Sequence, residues 1–247
     1  ACKIKFDFAS GGRLIPSSGN VEFKQDNGLS AVFGDDFNSY AEKWTVDDAY
    51  SELVKNEKED GDGFVSLESQ TEGKSVLAPY ITADGPSLNG QFYKISAKIK
   101  VENHSGDKCI SVLSLKDDEP INSYPISVNR EGLLGYRNAN YEHVSFEPAC
   151  YVEPGEWHTV SVVLDTINAR EIAYLDGKRV SQTAAELGTP SGGGISQLKI
   201  AALEAENISG KFCVSSLEID DAAGIYSAVG AAPSDSMHWS KAYMDFL

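Results

Sequence analysis

Segments in which apolar and polar residues alternate follow one another along most of this chain, and that alternation decides its fold class. In "FYKISAKIKV" the residues Tyr93, Ile95, Ala97, Ile99 and Val101 alternate with Lys94, Ser96, Lys98 and Lys100. Successive side chains of a strand point to opposite faces, so this segment is a strand with one face buried and the other wet. The segments "KIKFDFA", "FVSLES", "KSVLAPYI", "KCISVLSLK", "SYPISVN", "GLLGYR", "WHTVSVVLD", "EIAYLDG", "ISQLKIAAL" and "KFCVSSLEID" are strand-like as well. Their separators are rich in Gly, Asn, Asp, Ser and Pro, as turns require. Many short strands without long helices between them, in 247 residues, predict an all-β protein: an antiparallel two-sheet jelly-roll sandwich.

The stretch "WHTVSVVLDTINAREIAYLDGKRV" is the clearest pair of strands. Val160, Val162 and Leu164 recur at period two, and the apolar run resumes at Ile172, Tyr174 and Val180. The Asp176-Gly177 pair between them suits a tight turn with positive φ. Trp157 is expected to plug the core. His158, flanked by strand residues, is expected at the surface or an edge rather than as a base. Two regions break the pattern. "NSYAEKWTVDDAYSELVKNEKEDGDG" reads as a charged loop with one short helical turn, in which Trp44 is a core plug. The tail from Ala222 begins small and ends with Met237, Trp239, Tyr243 and Phe246.

Charge restricts the partners. The chain carries 37 acidic against 21 basic residues, a formal net charge of −16. A field of that sign repels nucleic acid and anionic lipid surfaces, so neither is an expected partner. No apolar run approaches the length of a membrane span. The start, Ala1-Cys2, suits a lipoprotein cleavage site, and an extracellular or cell-surface location is expected. Cys2, Cys109, Cys150 and Cys213 lack C-x-x-C spacing, which excludes a zinc or thioredoxin-type site and leaves disulfides or buried thiols open.

The order "EPGEWHTVSVVLD", then "AREIAYLDGKRV", then a late strand ending "VSSLEIDD", resembles the concanavalin A-like lectin/glucanase superfamily in its laminin-G-like branch. The likeness spans residues 33–221, with 1–32 as a strand region packed on the sandwich and 222–247 as a tail docking back. The resemblance implies that the Trp-to-Asp-Gly segment is scaffold. It also implies a structural calcium ion, Ca2+, held where "FGDDF" meets "LEIDD", by Asp35 or Asp36 with Asp220 or Asp221; calcium takes six to eight oxygen ligands.

Two other carboxylate patterns fail. "EDGDGFVSLES" puts Lys58 and Ser69 where an EF-hand needs its first Asp and its bidentate Glu, so it is a solvated acidic turn. The glucanase strand motif Glu-x-Asp-x-x-Glu begins at Glu218-Ile219-Asp220 but has Ala223 in place of the last Glu, which disfavours a retaining glycosidase. The stretch "GLLGYRNANYEHV" carries the most chemistry. Tyr136, Arg137, Asn140 and Tyr141, with Tyr124, suit sugar recognition, since aromatic rings cover apolar sugar faces while amides and Arg bind hydroxyls. Tyr141, His143 and Arg137 equally suit a polysaccharide lyase, in which Tyr or His takes a proton beside a uronate carboxylate that Arg neutralises. The sequence therefore favours a non-catalytic, lectin-like carbohydrate-binding module of a larger polysaccharide-processing protein. A lyase is the first alternative, and an adhesive ectodomain binding protein the second.

Overall fold

The computed structural model describes residues 12–17, 20–25, 29–39, 42–72, 75–86, 88, 90, 92–105, 110–116, 122–129, 131–138, 140, 142–165, 170–183, 197–201 and 209–222. In chain order the strands are β1 (Gly12–Ser17), β2 (Asn20–Gln25), β3 (Ser30–Asp35), β4 (Thr45–Val46), β5 (Val54–Glu59) and β6 (Asp62–Glu72). There follow β7 (Ser75–Leu77), β8 (Tyr80–Asp84), β9 (Phe92–Ser105), β10 (Ile110–Lys116), β11 (Asn122–Val128) and β12 (Leu134–Arg137). The last are β13 (His143–Ser145), β14 (Trp157–Asp165), β15 (Arg170–Leu175), β16 (Lys178–Thr183), β17 (Gln197–Ala201) and β18 (Ser209–Asp221).

Two antiparallel sheets face each other. The seven-stranded sheet runs β13-β12-β11-β10-β17-β8-β4, and the larger one runs β16-β15-β14-β9-β18-β6-β5, with β3 also on β18 and β7 on β6. Among the described residues β1 and β2 pair with each other alone. β3 pairs with β18 from Ser30 and Ala31 onward. The core between the sheets joins Ile81, Leu113, Ile126, Leu134 and Ile200 of one sheet to Val65, Ile95, Ile99, Val162, Phe212 and Ile219 of the other. Fully burying one such side chain contributes about 1.5–3 kcal/mol. The fold class is the one the alternation predicts: an antiparallel jelly-roll β-sandwich.

Local chemistry sets the hairpins. Asp176 and Gly177 have φ of 50° and 75°, the pair of left-handed residues a type I′ turn needs. Asp60 and Gly61 do the same between β5 and β6, with φ of 53° and 98°, so the "EDGDG" stretch is a turn, as expected. The loop expected around residues 38–63 differs in part. Its helical turn is a 3-10 turn at Asp48–Tyr50, but Val54–Glu59 is a strand.

The β14–β15 register corrects three inward assignments. Val160, Val162 and Leu164 stand opposite Leu175, Ala173 and Glu171, so these six share the core-facing side. Ile172 and Tyr174 lie on the other side, in a separate apolar cluster with Phe92, Val163 and Ala222. Trp157 is half-buried on that outer side too, rather than in the core. Glu171 takes an inward place with 0% exposure, and neither of its carboxyl oxygens has a partner. Burial raises its pKa well above the ordinary 4.5, favouring the protonated form.

Of the cysteines among the described residues, Cys150 and Cys213 are free thiols. Burial pushes the Cys213 thiol up to about 12. Cys2 and Cys109 lie outside the described residues. Among the described residues no helix is long and apolar enough to cross a membrane.

Candidate functional site

The outer face of the seven-stranded sheet, at its β11-β12-β13 edge, gathers the residues with chemical potential. Arg137 on β12 stands opposite His143 on β13 and Tyr124 on β11. Gly135, two residues back, stands opposite Ser145 and Ser127. Residues directly opposite share a face, so Arg137, Gly135, His143, Ser127 and Ser145 belong to one side of the sheet. Leu134 and Tyr136 point the other way, into the core.

His143 is the centre of this group. Its Nδ1 lies 2.9 Å from the Ser127 hydroxyl and its Nε2 lies 3.1 Å from the Ser145 hydroxyl. A neutral imidazole fits both, donating one N–H to a serine and accepting from the hydroxyl of the other. Burial, then the charge of Arg137, holds the imidazole down at about 4, against the opposing pull of Glu131. The ring can lie there only because position 135 has no side chain. A Cβ on Gly135 would sit 2.1 Å from the Val144 carbonyl oxygen and 2.8 Å from His143 Cε1.

The turn that carries the strip is built by Asn138. Its Oδ1 accepts from the backbone N–H groups of Asn140 and Glu142, at 2.9 and 3.0 Å, and its own amide donates to the Glu142 carboxylate at 3.2 Å. Asn140 is exposed at the tip. Tyr141 lies outside the described residues, and of Tyr124 only the backbone register is known. Tyr136 is corrected: at 4% exposure, with its ring 6.1 Å from that of Phe146, it is core and presents no aromatic face to a ligand. Tyr93, a further aromatic of the wet-faced strand, is buried as well.

The four aspartates expected to share calcium do not converge. Asp35 pairs with Leu217, whereas Asp220 and Asp221 pair with Ala31 and Ser30 at the far end of β3. At about 3.3 Å per residue that separates the two pairs by about 13–16 Å along the strand. Asp35 is also engaged locally, accepting from the Phe37 N–H at 2.7 Å and the Trp44 indole N–H at 3.1 Å. Asp36 accepts from the backbone and side-chain N–H groups of Asn38. Among the described residues no group of three His, Cys, Asp or Glu stands close enough to hold a metal ion. Trp44 is the core plug expected of it, buried and stacked 5.6 Å from Phe37.

Two other polar clusters are structural. The His158 Nδ1–H donates to Asp176 at 2.8 Å while its Nε2 accepts from the Glu153 N–H at 3.1 Å; Asp176 also accepts from the Thr159 N–H at 2.8 Å. Both imidazole nitrogens are thus spent on tying the β15–β16 turn, through Asp176, to Glu153 ahead of β14. Asp176→Asn keeps the left-handed turn but replaces one acceptor by a donor, and is expected to cost about 1 kcal/mol in a denaturant melt. On the outer face of the larger sheet the Trp157 indole N–H and Lys100 both donate to Glu59 Oε2, at 2.8 and 2.6 Å, and Lys211 pairs with Glu57 at 2.9 Å. Lys100 also stands 4.8 Å over the Trp157 ring. Lys100 and Lys211 are thus matched by carboxylates, while Lys98 stands 5.6 Å over the same ring.

With this geometry in view, the fold is a shared one. It matches a sialidase at 17% identity and a TM-score of 0.57, over 77% of this chain but only 18% of the sialidase's length. An endo-beta-1,4-glucuronan lyase from the fungus Trichoderma reesei matches at 12% identity and 0.56, over 77% of this chain and 95% of the lyase. A glycoside hydrolase family 16 endo-glucanase from Bacteroides ovatus matches at 14% and 0.52, over 76% and 99%. No family model and no curated protein sequence matches the chain. At such identities the likeness is one of fold, and function rests on the site.

Proposed function

We propose that this chain binds a glycan without cleaving it, on the outer face of the seven-stranded sheet, as a module of a secreted or cell-surface polysaccharide-processing protein. The observation that carries this reading is His143, held neutral between two serine hydroxyls over Gly135 and beside Arg137. Such a strip offers Arg137 and the half-buried edges of His143 and Ser145 as fixed polar groups to sugar hydroxyls. Three matched jelly-roll proteins bear names tied to glycans: the sialidase, the glucuronan lyase and the endo-glucanase. Their fold supports the class of ligand and nothing finer.

The lyase remains the second reading, because Arg137 and His143 are neighbours and are the residue types the reaction asks for. Two features weigh against it. A base works best with a pKa near the working pH, and an imidazole at about 4 is a weak proton acceptor. Both of its nitrogens are also engaged by serines. The test is retention of the purified chain on a panel of insoluble neutral and uronate-containing polysaccharides, read together with ultraviolet absorbance of any unsaturated uronate. Retention with flat absorbance is expected, and Arg137→Ala is expected to weaken it about tenfold or more, the equivalent of about 1.4 kcal/mol. Binding is expected to be insensitive to pH from neutrality down towards 4, because the imidazole stays neutral over that range. Absorbance rising on a uronate polymer would replace this reading by the lyase.

A further inference from the structure

One exposed aromatic side chain, Tyr151, lies on the same face. Beyond β13 the chain returns to β12. The Leu134 N–H donates to the Cys150 carbonyl and the Val152 N–H to the Gly132 carbonyl, both at 2.8 Å, so Tyr151 stands directly opposite Leu133. Leu133 has the same parity on this strand as Gly135 and Arg137, which places Tyr151 on the face that carries His143 and Ser145. Val152 is buried and Cys150 packs against the core, so the residues on either side of Tyr151 point inward and turn it outward. It is 54% exposed, and among the described residues it is the large hydrophobic side chain left open to solvent.

From residue 137 to residue 133 is four steps along one strand, about 13 Å. A single sugar ring does not reach across that distance, but a short linear oligosaccharide does. The chain's formal charge of −16 disfavours a densely anionic polymer, while a neutral, extended glucan has apolar ring faces for a tyrosine and hydroxyls for the Arg137 and Ser145 end.

We propose that Tyr151 is the aromatic platform of a second sugar subsite, so that the ligand is a neutral linear oligosaccharide lying along β12 with one end at Arg137 and His143 and the other stacked on Tyr151. This rests on the glycan-binding reading and extends it to the length and class of ligand. The experiment is calorimetric titration with β-1,4-linked and mixed-linkage gluco-oligosaccharides, from disaccharide to hexasaccharide, against the whole chain and three variants. Affinity is expected to rise about tenfold once the oligosaccharide is long enough to reach Tyr151, and then to level off. Tyr151→Ala is expected to remove that gain and leave the shortest ligand unchanged, while Tyr151→Phe keeps it, because the ring and not the hydroxyl does the stacking. Arg137→Ala is expected to weaken every length. A length gain that survives Tyr151→Ala, or no gain in the unaltered chain while Arg137→Ala still weakens binding, overturns the subsite and leaves the glycan-binding reading standing. Binding to uronate oligomers alone overturns the neutral ligand class. Failure of every glycan to bind takes both proposals down together.

Discussion

Gly135→Ala is expected to destabilise the protein by about 3 kcal/mol and to abolish glycan retention. The added Cβ would meet the Val144 carbonyl oxygen at 2.1 Å, and backbone at that distance gives way only if β12 and β13 part. Overpacking of this kind costs about 1–3 kcal/mol, and the low end applies where a flexible side chain absorbs the clash. Here the nearest atom belongs to the partner strand, so the high end applies. The ring of His143, at 2.8 Å, must move too, and its bonds to Ser127 and Ser145 go with it. A urea melt and a pull-down check both parts. Ser145→Ala, which removes one hydroxyl without adding atoms, serves as the comparison and is expected to cost about 1 kcal/mol. If Gly135→Ala melts like the unaltered chain, the packing of His143 over that glycine is wrong.

Glu171 gives the second large effect. It faces inward, fully buried, opposite Leu164 of β14 and Thr183 of β16, and neither carboxyl oxygen has a hydrogen-bond partner. Burial raises its pKa above the unfolded value near 4.5, so over a range above that value the folded chain keeps a proton that the unfolded chain releases. A raised pKa contributes stability that is fully present below 4.5 and is lost as pH climbs through the folded value. Stability is therefore expected to fall by about 1.4 kcal/mol for each pH unit above 4.5 until the folded group ionises. Glu171→Leu removes that slope and leaves a buried apolar side chain of similar size. It is expected to stabilise the protein by about 2 kcal/mol at neutral pH. Denaturant midpoints followed across the acid-to-neutral range distinguish the cases. Parallel curves for the two proteins would contradict the assignment.

How far the sequence could be read follows from what alternation encodes. Period two identifies a half-buried strand, and so β9, β14 and β18 were legible almost end to end. It fails where both faces are wet. Val54–Glu59 is an edge strand with one buried residue at its start, and its lysines and glutamates read as loop. Alternation also leaves the inward face ambiguous where apolar residues occur in succession. Leu133, Leu134 and Tyr136 are all apolar, so only the pairing with β11 and β13 shows that Tyr136 is core and Arg137 surface. In β15 the apolar Ile172 and Tyr174 suggested the core side, yet Glu171 and Ala173 occupy it, because a second cluster receives the other face.

The site was legible as residue types and not as geometry. The stretch containing Arg137 and His143 stood out, but Ser127, Ser145 and Gly135, which hold the imidazole, did not, since nothing in their sequence marks them as neighbours of His143. Tyr151 was missed for a related reason: it belongs to a single isolated bridge rather than to a periodic segment. The aspartate quartet failed on register. Composition brings Asp35 and Asp221 to the two strands that do pair, but the antiparallel alignment sets them at opposite ends.

The central claim is that glycan contacts fall on the β11-β12-β13 face, and ring-nitrogen NMR of the histidines tests it most directly. The unaltered chain is titrated with whichever polysaccharide fragment it retains, and the imidazole signals of His143 and His158 are followed beside the indole signal of Trp157. The account predicts that His143 shifts while His158 and Trp157, which belong to the larger sheet, stay in place. Shifts at Trp157 with His143 unmoved would contradict it and transfer the binding face to the other side of the sandwich.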